Sequence, residues 1–60
     1  MKFTLTIDCD NAAFEGNTQQ EVINILEQAV KKVSKFADYG NLFDSNGNTV
    51  GEYYFSGDVE

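Results

Sequence analysis

The sequence predicts a small α+β domain of order β-α-β-β, with a three-stranded antiparallel sheet in order 1-3-2 and one helix packed on one face. Three observations carry this. Phe3, Leu5 and Ile7 alternate with Thr4, Thr6 and Asp8, the period of a half-buried strand. Val22, Ile23, Ile25, Leu26, Ala29, Val30, Val33, Phe36 and Ala37 fall on one broad helical stripe. Asn46-Gly47 lies between the apolar pair Leu42-Phe43 and the run Tyr53-Tyr54-Phe55, a strong hairpin signal.

The first strand is expected to end in the turn-forming stretch Asp8-Cys9-Asp10-Asn11. By strand parity Cys9 reads as a small buried filler. Ala12-Ala13-Phe14 can make a short turn in which Phe14 closes one end of the core. Thr18-Gln19-Gln20-Glu21 fits a capping box at the helix start. Lys31, Lys32 and Lys35 suit the negative end of the helix dipole, and Gly40 is expected to stop the helix.

Strands near Asn41–Asp44 and Thr49–Phe55 follow. A right-handed crossover makes the first two strands parallel, and the hairpin's return strand fills the gap between them. With Asn46-Gly47 as a two-residue loop, Phe43 pairs with Val50 and Leu42 with Gly51. Leu42, Gly51, Tyr53 and Phe55 then share the helix side, where Gly51 would let the helix approach closely. Phe43, Val50 and Tyr54, flanked by Thr4 and Thr6, form an uncovered apolar face. Such patches often mark interaction sites.

Sixty residues make one domain, 1–60, with a marginal core. The lone Cys9 cannot form an internal disulfide, and there is no His to serve as metal ligand or general base. Self-association is the remaining source of extra stability. The formal charge is −6, from ten acids against four lysines with no Arg, which disfavours nucleic-acid binding and suits a basic protein partner. It also keeps a small domain soluble. The alternation after Lys2 is no secretory signal, no apolar run could span a membrane, and one unpaired Cys suits the cytoplasm. A chain that opens on Met and has no linker is expected to be a complete small gene product.

The predicted topology gathers Asp8, Asp10, Glu15, Glu21 and Asp44 at one end, with the helix lysines at the other. Acids also favour turns and helix N-termini for local reasons. Asp8-x-Asp10 and Asp44-x-Asn46-x-Asn48 fail as calcium loops: the sixth residues are Ala13 and Thr49, and the twelfth are Gln19 and Phe55. No metal and no cofactor are therefore expected. Catalytic residues are not expected either. Cys9 between two carboxylates is a poor nucleophile, and no Ser has a plausible general base beside it.

Phe3-Thr4-Leu5-Thr6-Ile7-Asp8-x-Asp10-Asn11-Ala12-Ala13-Phe14, the amphipathic helix, and Asp44-x-Asn46-Gly47-Asn48-Thr49-Val50-Gly51 resemble small uncharacterised proteins of bacteriophages and prophages. The helix is less charged, and the ending more aromatic, than in such proteins. The resemblance implies an accessory protein in a host bacterial cytoplasm. Small acidic phage proteins often block host factors, CRISPR and other defence machinery included. The leading expectation is thus a non-enzymatic protein that binds a host protein. Phe43, Val50 and Tyr54 would supply apolar contact, and Asp8, Asp10, Glu15 and Asp44 would steer. The alternatives are a homodimer joined face to face through its sheets, and a small-ligand or metal binder at the acidic end.

Overall fold

The computed structural model describes residues 1–35 and 38–57. Its elements are β1 (Lys2–Ile7), a 3-10 turn (Ala12–Phe14), α1 (Thr18–Val33), β2 (Tyr39–Phe43) and β3 (Thr49–Ser56). The sheet order is β1-β3-β2, with β3 antiparallel to both neighbours. The α+β arrangement read from the sequence is the observed one. Phe36 and Ala37, expected on the helical stripe, lie outside the described residues.

Local chemistry explains each boundary. Asn17, not Thr18, caps α1: its side chain accepts from the Gln20 amide at 3.2 Å. The Thr18 hydroxyl instead donates to the Phe14 carbonyl at 2.7 Å, tying the helix to the 3-10 turn. Glu21 does not complete a capping box either. Its carboxylate is buried and accepts from the Ser45 amide at 2.7 Å. The helix ends at Val33 with Ser34 as its cap, so Gly40 does not terminate it but lies inside β2.

The core consists of Phe14, Ile25, Ala29, Leu42, Val50 and Tyr53, rimmed by Leu5, Ile7, Ala13, Val22 and Val33. Each large side chain contributes about 1.5–3 kcal/mol by its burial. Phe14 therefore matters in so short a chain, and the 3-10 turn that delivers it is part of the core's construction. Tyr53 lies over Gly40, where an added Cβ would come within 2.9 Å of the ring. Among the described residues the buried Tyr53 hydroxyl has no hydrogen-bond partner.

The hairpin differs from the expected two-residue loop. The Gly47 amide donates to the Asp44 carbonyl at 3.0 Å, and Gly47 has φ of 85°. The Asp44 amide donates to the Asn48 carbonyl at 3.0 Å, so the loop holds three residues, Ser45, Asn46 and Gly47. Leu42 still faces Gly51, but Phe43 faces Thr49 rather than Val50. Val50 is the extra residue of a bulge. This shift moves Val50 off the open face and into the core, at 7% exposure. Gly51 also serves a different neighbour from the one expected. A Cβ there would collide with the Thr6 carbonyl of β1, so its smallness admits β1 and not the helix.

Two substitutions test this packing. Gly51→Ala should lower stability by about 3 kcal/mol, because backbone of β1 must move, and urea unfolding would measure it. Tyr53→Phe should be neutral or stabilising by up to about 1 kcal/mol, since it removes an unpartnered buried hydroxyl. A clear loss of stability in Tyr53→Phe would show that the hydroxyl has a partner.

Candidate functional site

The helix covers one face of the sheet, and among the described residues no element covers the other. Register places Thr4, Tyr54 and Tyr39 in one row across the bare face, and Thr6, Glu52 and Asn41 in the next. Tyr39 is 75% exposed and Tyr54 40%. Together with Gly40, Asn41, Glu52 and Tyr53 they line a shallow depression of about 240 Å³. Of the three residues expected to form the apolar contact, Phe43 and Tyr54 are exposed and Val50 is not. Tyr39 and Glu52 take its place. Tyr39 went unread because β2 begins two residues before the expected strand. Its signal was present in the alternation of Tyr39, Asn41 and Phe43 with Gly40 and Leu42.

Phe43 sits at the edge of this face, where α1 reaches around β2. The Gln28 amide group donates to the Phe43 carbonyl at 3.0 Å and accepts from the Phe43 N–H at 2.9 Å. Lys32 Nζ donates to the Asn41 carbonyl at 2.6 Å and lies 4.8 Å from the centre of the Phe43 ring. This cation–π contact fixes the ring beside a positive charge.

The acidic end divides into two kinds of carboxylate. Asp8, Asp10 and Glu15 are exposed. Asp44 is buried at 6% exposure and does not present its charge to a partner as expected. Asp44 Oδ1 accepts from the Asn46 and Asn48 amides, both at 2.9 Å, and Oδ2 accepts from the Asn11 side chain at 2.7 Å. Asn11 in turn accepts from the Ala13 amide at 3.0 Å, so one carboxylate joins the hairpin loop to the 3-10 turn. Burial pushes the Asp44 carboxyl up. The bonds from the Asn48 amide, the Asn11 side chain, the Asn46 amide and the Asn48 side chain outweigh it, and the net shift is downward from 3.8.

Cys9 is exposed and is not the buried filler expected of it, because β1 ends at Ile7 and strand parity stops there. Among the described residues no three of His, Cys, Asp or Glu gather as a metal-binding group, and no helix is long and apolar enough to cross a membrane. An apolar concavity of about 530 Å³ is lined by Phe3, Leu5, Leu26, Ala29, Val30, Val33 and Ser34, with no acid or base among them. No family model matches the chain, and no curated protein or solved structure matches it.

The Asp44 network has a pH signature. A carboxyl whose folded value lies below its ordinary 3.8 adds stability above that pH, and loses it as pH falls toward the lower folded value. Thermal melts of the wild type should therefore drop on that acid limb. Asp44→Asn, which cannot accept as a charge, should be less stable at neutral pH and flatter below 3.8. An acid limb unchanged in the variant would assign it to other carboxyls.

Proposed function

We propose that this chain is a non-enzymatic binding module that engages a protein partner through its uncovered sheet face. The observation that carries the reading is the placement of Tyr39 and Tyr54 beside Glu52 on a face that none of the described elements covers. Aromatic side chains anchor interfaces because they bury large area with few rotatable bonds. A carboxylate beside aromatic rings suits a lysine or arginine of the partner, which can stack on a ring and pair with the acid. The charge of −6 adds attraction to a basic surface during encounter, with Asp8, Asp10 and Glu15 contributing from the acidic end.

An enzymatic reading has less support. There is no His, and the 530 Å³ concavity is lined by apolar groups and one serine, with no acid or base in its lining. The resemblance to phage-encoded proteins adds a context to this proposal: the partner is a host protein of the bacterial cytoplasm, with defence components the first class to test.

Capture from bacterial lysate checks the reading. Wild type should retain a protein that a Tyr39→Asp, Tyr54→Asp variant of unchanged circular dichroism loses, at a cost of about 2 kcal/mol or more in binding. Glu52→Lys should slow association and flatten its salt dependence. A partner held equally by all three proteins would sink the sheet-face proposal.

A further inference from the structure

The two edges of the sheet are not alike. The outer edge of β2 is occupied, since Gln28 pairs with both polar groups of Phe43 and Lys32 meets the Asn41 carbonyl. These side chains stand where a neighbouring strand would bond. The outer edge of β1 has no such cover among the described residues. The Asp8 amide donates to the Val50 carbonyl at 2.7 Å, and the ladder continues as Ile7 with Gly51 and Thr6 with Glu52. Amides alternate in direction along an antiparallel pair. Thr4, Thr6 and Asp8 therefore bond β3, and the amides and carbonyls of Phe3, Leu5 and Ile7 point away from the sheet. A bare edge of apolar, β-prone residues is a template for another strand.

Above this edge lies the apolar groove of about 530 Å³ between β1 and α1. Its walls are poorly covered: Phe3 is 45% exposed, Leu26 42% and Val30 67%. From these observations we propose that β1 pairs with β1 of a second copy of this chain, antiparallel and centred on Leu5, to make one six-stranded sheet.

The sequence of β1 is self-complementary in this register. Leu5 faces the partner's Leu5, Phe3 faces Ile7, Thr4 faces Thr6 and Lys2 faces Asp8. The first two kinds of pair are apolar and lie on the helix side. Thr4 with Thr6 and Lys2 with Asp8 lie on the open face, where hydroxyl pairs and opposite charges are favourable cross-strand neighbours. Phe3, Leu5 and Ile7 are also the residues whose polar backbone groups face outward, so apolar contact and hydrogen bonding call for the same register. The two-fold axis of such a pair is normal to the sheet. Both helices then lie on one side, and the apolar grooves of the two copies, lined by Phe3, Leu26 and Val30, meet across the seam as one continuous trough. A slip of two residues one way would set Lys2 opposite Thr6 and lose the charge pairing; the other way it would set Lys2 opposite Asp10, beyond the end of β1.

Sedimentation of the wild type and cysteine trapping test this. Wild type should dimerise, and Lys2→Asp should weaken the dimer about tenfold, with Lys2→Asp, Asp8→Lys recovering most of the loss. In a Cys9→Ser background, Thr4→Cys mixed with Thr6→Cys should form a disulfide-linked heterodimer, because directly facing residues lie within disulfide reach. Either variant alone should cross-link far more slowly. A chain that stays monomeric at roughly millimolar concentration would overturn the proposal. So would a dimer that ignores Lys2→Asp but dissociates with Tyr54→Asp, or cysteine pairs that link without regard to register.

Discussion

One helix has to cover three strands, and the rest of the molecule follows from how it does so. A helix about 10 Å across matches roughly two strands spaced about 4.8 Å apart. Here α1 leans toward β2, held by Gln28 and Lys32 on its edge and by Ile25 and Ala29 over the core. The lean completes the core above Leu42 and Tyr53. It also leaves Leu26, Val30 and Phe3 half-covered on the β1 side, and it can do nothing for the opposite face. The exposed surfaces of this chain are thus consequences of a core built from too few elements.

Acidic residues take part in this construction. Glu21 and Asp44 are both buried and both accept backbone amides of the hairpin. A buried carboxylate is tolerable only when donors surround it. Asp44 finds them in the Asn46 and Asn48 amides and the Asn11 side chain, with no cation required. The net charge of −6 therefore overstates the charge available for steering. Among the described residues the exposed acids are Asp8, Asp10, Glu15, Glu27, Asp38 and Glu52.

The elements and their order were legible because each rests on a periodic pattern: alternation in β1, a helical stripe in α1, and a loop signal between β2 and β3. The hairpin register was not. Asn46-Gly47 favours a two-residue turn, but the Asp44 carboxylate binds the two amides at 46 and 48 and draws the turn one residue earlier. Gly47 alone then needs positive φ, and Val50 becomes the bulged residue that turns inward. This competition between a side chain and a local turn preference is invisible to residue spacing. The same holds at the helix start, where Thr18 and Glu21 match a capping pattern but find better partners in Phe14 and Ser45. Of the candidate site, Phe43 and Tyr54 were readable by parity. Val50 was misplaced by the bulge, Asp44 by its burial, and Glu52 passed unread because a lone acid on a strand looks like ordinary solvent-facing polarity.

The open face and the β1 edge are independent resources, and their geometry makes them compatible. Face-to-face packing of two sheets would bury Tyr39, Tyr54 and Glu52 and leave no face for a foreign partner. Edge pairing through β1 leaves them all exposed. In the proposed pair the two-fold axis would be normal to the sheet, so both copies of Tyr39, Tyr54 and Glu52 would point to the same side of one continuous surface. Two weak contacts on a rigid platform act as one strong contact when the partner offers two matching sites, because the second binding step is intramolecular. A chain too small to build a large interface alone can reach high affinity by that route, and it needs no change to the 60-residue fold.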